Sequence, residues 1–322
     1  MKTAARPASW KILLAFAAIY FLWGSTFLAI RVGVREVPPL LLAAVRFLVA
    51  GFVLYGCMRL RGTPAPSRRE WIGATGLGAL IFVLDYGCLF WAEQRVPSGI
   101  AAVVLATIPL FITLMAIVFL RTERLTLRLA LALMAGLCGV AVLMNHSFSL
   151  GEAPIDRAGA MALLVASFTW SIATLLTRRV PLPASKAMSA AAQMLTGGAL
   201  LFALAAVTNE FAGFRVQAVS STAWFALAYL IIAGSIVGFT AYVWLLHYES
   251  PTKVGTYAYV NPVVAVAMGY FVGGESVGSR TLLGTLLVLV SVIAITTMPK
   301  AGAGKPCQER RGRHRFGPRQ TE

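Results

Sequence analysis

Two charged residues of this chain, Arg46 and Asp85, fall inside long apolar runs, where a charge is costly. An isolated charge in a hydrocarbon core costs at least about 2.5–3.5 kcal/mol, so each needs a partner, water or a function. Arg46 lies about seven residues into its run and Asp85 about fourteen into the next, entered from the other side. At about 1.5 Å per residue, these depths are roughly 10 Å below one surface and roughly 21 Å above the other. In a core about 30 Å thick the two reach one level. Consecutive helices could therefore pair them. Two readings stay open: an ion pair that locks two helices, or a charged element of a substrate cavity or gate. Asp85 is also the one carboxylate well inside an apolar run, since Glu93, Glu123, Glu210, Glu249 and Glu275 fall at run ends. It is either a proton carrier or a fixed charge that holds Arg46 or a substrate amine.

Aromatic and helix-breaking residues form the next layer. Trp23 and Trp170 lie deep in apolar runs and are followed by small polar residues, Gly24-Ser25-Thr26 and Ser171. Tyr86, Tyr242 and Tyr257 lie in similar runs, while Trp91 and Trp244 fall near run ends, where interfacial aromatics are common. Rings beside hydroxyls such as Thr26 suit an amphipathic organic solute with a cationic or ring portion. Pro109 and Pro262 each remove a helix hydrogen bond in mid-run, and Asn261 adds an amide next to the second. Such breaks serve as packing kinks or as cavity-facing hinges. Spacings such as Ala74–Gly78, Ala132–Gly136 and Gly269–Gly273 read as helix-packing faces.

Other chemistries lack their residues. There is no G-x-x-x-x-G-K-[ST] phosphate loop and no H-E-x-x-H, so neither ATP nor a metal is expected. His146, His247 and His314 are scattered, and Cys57, Cys88, Cys138 and Cys307 show no ligand spacing. No cofactor is expected. An intramembrane lipid-modifying enzyme would need a convergent His/Asp/Glu cluster at one face, which is missing.

The elements that position these residues follow from composition. The 322-residue chain is 58% hydrophobic and 12% charged, with mean hydropathy +0.78. Soluble domains carry about 25% charged residues, so this chain cannot cover a soluble surface and belongs in a lipid bilayer. Apolar stretches long enough to span run near 12–33, 39–58, 71–92, 98–120, 126–145, 157–177, 186–208, 221–246, 253–273 and 279–298. Of 28 Lys and Arg, 21 fall on alternate segments taken as inner, six on outer loops, and Arg46 within a span. The positive-inside rule then places both termini in the cytoplasm. It also accounts for the net charge of +16 without a nucleic-acid partner. The first run is too long for a signal-peptide core and reads as a retained span.

The chain also matches itself. The interval from Trp23 to Trp170 also carries Arg46 to Gln193 and Gly51 to Gly198. A slightly longer interval carries Trp71 to Trp224, Trp91 to Trp244 and Pro109 to Pro262. Two copies with an odd number of spans enter the membrane in opposite senses, as inverted repeats do in transporters. The reading is an all-α integral membrane protein of ten transmembrane helices in two inverted five-helix repeats. Residues 1–11 form a cytoplasmic N-terminus, 12–145 the first repeat, 157–298 the second, and 299–322 a basic disordered tail.

Trp23-Gly24-Ser25-Thr26-Phe27, Val45-Arg46-Phe47 and the recurring Pro109…Glu123 and Pro262…Glu275 resemble the EamA-type branch of the drug/metabolite transporter superfamily. The resemblance covers residues 12 to 298. It implies a central cavity lined by spans one, three, four, six, eight and nine. It also implies export of amino acids, their derivatives, drugs or other small metabolites. Gln193 departs from the pattern, since the first copy has Arg46 there. The expected function is a secondary transporter, an exporter of small metabolites across the plasma (inner) membrane by alternating access. A channel-like or lipid-flipping protein of the same fold is the alternative. The expected partners are a small-molecule substrate and the bilayer; the sequence leaves the oligomeric state open. The expected cavity residues are Trp23, Thr26, Arg46, Asp85, Tyr86, Pro109, Trp170, Gln193, Tyr242, Tyr257, Asn261 and Pro262.

Overall fold

A computed structural model of the protein describes residues 7–119, 125–144, 155–177, 179–249, 254 and 257–297. Glu123, His146, His314, Cys307 and the 299–322 tail, all named above, lie outside the described residues. Most of the described residues are helical, and none lies in a strand. The helices are α1 (Ser9–Gly33), α2 (Pro39–Leu60), α3 (Arg68–Glu93), α4 (Ser98–Leu105 and Ile108–Val118) and α5 (Leu127–Met144). They continue as α6 (Arg157–Leu176), α7 (Lys186–Val207), α8 (Ser221–Tyr229 through Gly238–Tyr248), α9 (Tyr257–Phe271) and α10 (Ser279–Thr297). Seven helices are long and apolar enough to cross a membrane, and Leu127–Leu143 and Ser279–Ile295 are shorter apolar helices. Large side chains such as Phe52, Phe225 and Phe271 point outward and are exposed. An apolar exterior of this kind requires lipid.

The packing runs across the sequence halves. α2 lies along α7 and α5 along α10, while α1 packs on α8 and α9 and α6 on α3 and α4. Small residues permit the close approaches. A Cβ at Gly51 would sit 3.0 Å from the Leu195 backbone nitrogen, and one at Gly198 3.0 Å from that of Leu48. Such contacts replace the hydrophobic drive that is missing between helices in lipid.

Two helices carry matching irregularities. α3 becomes π-helical over Ala79–Tyr86 and α8 over Leu230–Val237. Each stretch is followed directly by a glycine, Gly87 and Gly238. A π stretch breaks the register of the i→i−4 ladder and is frequent at functional sites.

At one end of the bundle, carboxylates of one half cap helices of the other. α7 stops where Asn209 takes a left-handed φ of 62°, and the next residue, Glu210, accepts the Leu40 and Leu41 N–H groups at 3.3 and 2.9 Å. Glu275 accepts the N–H groups of Ser98 at 2.8 Å and Gly99 at 3.2 Å. Glu36 accepts the Ser220 N–H at 2.6 Å and its hydroxyl at 2.7 Å. Those bonds, the backbone one foremost, hold the Glu36 carboxyl below its ordinary value of 4.5. Each carboxylate thus supplies acceptors that a helix N-terminus lacks.

Candidate functional site

The two π stretches bring the chemistry together. Trp23 of α1 donates its indole N–H to the Gly234 carbonyl at 3.0 Å. Arg46 of α2 donates Nε–H to the Ser235 hydroxyl at 2.9 Å. Thr26 packs on the same turn, since a Cβ at Gly234 would lie 2.7 Å from its methyl and 3.0 Å from Arg46 Nη2. The Thr26 hydroxyl itself donates to the Trp23 carbonyl at 2.6 Å. A side chain at 234 would crowd both the Thr26 methyl and the guanidinium.

Aromatic rings enclose this centre. The Arg46 guanidinium lies over Phe47 at 4.8 Å, Tyr86 at 5.3 Å and Phe90 at 5.9 Å. Tyr86 also meets Trp170 of α6 at 6.2 Å. On the other side Trp23 meets Tyr257 at 5.0 Å, Tyr242 at 5.2 Å and Phe239 at 5.8 Å. Asp85, 1% exposed, sits in the α3 π stretch, within electrostatic reach of the Tyr86 and Tyr257 phenols.

The Arg46–Asp85 ion pair, one of the two readings left open by the sequence, does not form. Arg46 Nη1 and Asp85 Oδ1 are both buried without a hydrogen-bond partner among the described residues. α2 and α3 do touch at this depth, with Phe47 against Phe82 at 4.5 Å and Tyr86 at 4.7 Å. The guanidinium is instead turned to Ser235 of α8 and lies over the rings, which leaves the carboxylate without it.

Four further residues have local roles. Gln193 donates to the Ser189 carbonyl at 3.2 Å and hydroxyl at 3.0 Å within its own helix. The Asn261 amide, oriented with nitrogen toward acceptors, donates to the Tyr257 and Tyr20 carbonyls, both at 3.2 Å, and ties α9 to α1. The two prolines are not equivalent. α4 is broken at Ala106 and Thr107, just before Pro109, whereas α9 runs through Pro262. At the α4 break, Ser167 donates its hydroxyl to the Val104 carbonyl at 3.3 Å and Ser171 to the Ile108 carbonyl at 3.1 Å. The broken helix is thus satisfied by α6.

Ser235, Phe239, Phe47 and Phe90 complete the site and were not among the expected residues. Val45-Arg46-Phe47 put Phe47 in view, but nothing in the sequence pairs Ser235 with Arg46. Beside the site, an apolar groove of about 440 Å³ lies between α1, α8 and α9, with Phe21, Thr222 and Met268 in its wall. In it the Ser25 and Tyr229 hydroxyls bond each other at 2.6 Å.

Residues 9–145 and 157–297 each match the EamA-like transporter family. The chain belongs to that family. This EamA-like transporter is 36% identical over 285 residues to the uncharacterized inner membrane transporter YedA of Escherichia coli (strain K12), covering 88% of this chain and 89% of the relative. It is 26% identical over 282 residues to the probable amino-acid metabolite efflux pump of Salmonella typhimurium, covering 85% and 91%. One solved crystal structure matches with a TM-score of 0.60 at 23% identity, over 90% of this chain and 98% of the other, and supports the fold alone. The protein is accordingly a multi-pass inner membrane transporter.

The Trp23 anchor gives a direct test of this geometry. A Cβ at Gly238 would lie 2.5 Å from Trp23 Nε1. Gly238→Ala should expel the indole from its bond to Gly234 and destabilise the purified protein by about 1–3 kcal/mol in a thermal unfolding assay, as overpacking does. Wild-type stability in that variant would contradict the placement of Trp23.

Proposed function

We propose that this transporter exports an amino acid, or a close derivative, across the inner membrane by alternating access. The observation that carries the reading is the pair of unpartnered buried groups, Arg46 Nη1 and Asp85 Oδ1, in a centre walled by rings. A zwitterion supplies a carboxylate to the guanidinium and an ammonium to the carboxylate. Its side chain meets Trp23, Tyr242 and Tyr257. Arg46 is preset for this role, because Ser235 and three rings hold its plane. The name of the Salmonella relative agrees in substrate class.

The architecture proposed for this motion is two inverted five-helix halves, α1–α5 and α6–α10. The recurring tryptophans, the exchange-symmetric packing and the paired π stretches support it. Both termini lie in the cytoplasm on this reading. Two of the six outer basic residues strengthen it, because Arg31 and Arg280 are drawn into the protein and are not loop charges. The capped end is then the outer end, and the described conformation is closed there.

Counterflow of labelled neutral amino acids in proteoliposomes tests the proposal. Aromatic and branched amino acids should exchange, and analogues lacking either the amino or the carboxyl group should exchange at least tenfold more slowly, as expected when a buried polar group is left unpaired. Equal exchange of the one-charge analogues, or no exchange of any amino acid, would overturn it.

A further inference from the structure

The outer end holds a second buried carboxyl group, which the substrate site does not use. Glu93, at the C-terminus of α3, is 0% exposed, and neither of its carboxyl oxygens has a hydrogen-bond partner among the described residues. Arg31, in the last turn of α1, is turned into the same place. Its Nη1 donates to the carbonyls of Glu93 and of Val96, the latter at 2.7 Å, and its Nε lies 3.6 Å from Glu275 Oε1. Glu275 is already engaged with the α4 N-terminus. A Cβ at Gly269 would collide with Glu275 Oε2 and lie 3.2 Å from the Ser98 hydroxyl, which also has no partner among the described residues. The space around Glu275 is therefore tight.

The charges in this cluster do not balance. Among the described residues, the charged groups within electrostatic reach of Glu93 are Arg31 from α1 and Glu275 from the segment after α9. At the neighbouring end of α6, Asp156 is occupied in accepting the Gly159 N–H at 2.6 Å. Two carboxylates thus face one guanidinium, and Arg31 spends its Nη1 on backbone carbonyls. An ionised carboxylate buried with no donor is strongly disfavoured. Closing the outer end around Glu93 therefore requires one more positive charge. The neighbouring guanidinium repels a metal cation there, whereas a proton neutralises the carboxylate in place.

We propose that Glu93 is a proton-binding site that gates the outer end: the end closes when Glu93 takes up a proton and opens when it releases one to the outer water. The step is a simple protonation. The carboxylate gains a proton from outside as α1, α3, α4 and the Glu275 segment come together, and returns it as they part. Such a site ties substrate release on the outer face to the external proton concentration. The inference rests on the alternating-access reading above.

The test is a distance between spin labels on the two halves at the outer end, placed at Arg95 and Ala212, both exposed. Purified full-length protein in lipid nanodiscs is measured between acidic and mildly alkaline pH. In the wild type the distance should lengthen as pH rises. Glu93→Gln, which keeps the shape and removes the titration, should stay short throughout and lose the pH dependence. Glu275→Gln, which weakens the tie to α4, should open the end even at acidic pH. A pH-independent wild-type distance with an opening Glu275→Gln overturns the proton site and leaves alternating access standing. Retained pH dependence in Glu93→Gln also overturns it, and assigns the effect to Glu36, Glu210 or Glu275. Closure by sodium chloride but not choline chloride at fixed pH would make the ligand a metal ion and equally overturn it. An outer end that opens in no variant refutes the alternating-access reading itself. Should Glu93→Gln fold poorly, its thermal stability decides: removal of a buried unpaired charge should leave stability equal to or above wild type at alkaline pH, and a loss there counts against the proposal.

Discussion

Arg46→Ala should reduce amino-acid counterflow by about 10- to 150-fold, the range set by losing a charge-assisted hydrogen bond of about 1.5–3 kcal/mol to the substrate carboxylate. Arg46→Lys should recover only part of that loss. A lysine ammonium cannot both donate to Ser235 and lie flat between Phe47, Tyr86 and Phe90, where the guanidinium is held. Ser235→Ala leaves the charge and removes its tether, so it should cost about 1 kcal/mol, or roughly fivefold. A folded Arg46→Ala protein that exchanges amino acids at the wild-type rate would remove Arg46 from the site. The same variants test the missing ion pair. Because Arg46 and Asp85 each bury an atom without a partner, their effects on thermal stability should add to within about 0.5 kcal/mol. A larger coupling energy would restore direct pairing.

Asp85→Asn is the second large effect, and it should separate stability from transport. The amide is nearly isosteric and removes an unpaired buried charge, so the melting temperature should hold or rise. Counterflow of a zwitterion should fall at least tenfold, because the substrate ammonium loses its charged partner. The residual transport should keep its dependence on an imposed pH gradient, since on the reading above the proton is carried by Glu93 at the outer end. Loss of that dependence together with unchanged counterflow would make Asp85 the coupling residue and not a substrate ligand. Tyr257 lies within electrostatic reach of Asp85, and Tyr257→Phe should have a smaller effect, as only a phenol hydroxyl is removed.

Much of the helix plan was legible in the residues. The span expected over 186–208 is the helix Lys186–Val207, and that expected over 157–177 is Arg157–Leu176. Serine and aspartate caps mark several starts. Ser67 and Glu70 form a capping box before α3, and Ser185 caps α7. Apolar length suffices to find such helices because backbone hydrogen bonds must close within each one in lipid. Other boundaries had no local mark. α4 begins after Pro97, which offers no capping side chain, and its cap is Glu275, far along the chain. Pro109 signalled a break, but the break lies at Ala106 and Thr107, and the hydroxyls that satisfy it come from α6.

The sequence by itself determined that this is an all-helical membrane protein, that its two parts are related, and that Arg46, Asp85, Trp23 and the tyrosines are residues of interest. Those conclusions rest on composition, periodic apolar length and the cost of burying charge, all of which act locally. The tertiary structure decided which groups meet. Depth along a helix suggested that Arg46 and Asp85 could pair, and α2 does touch α3 through Phe47 and Tyr86, yet the interleaving of the two halves gives Arg46 the Ser235 hydroxyl of α8 as its partner. The same interleaving brings Arg31, Glu93 and Glu275 together from three distant segments. Side-chain partners across helices are set by packing faces and close glycine contacts, and the free energy of those contacts depends on neighbours that no single stretch of the chain encodes.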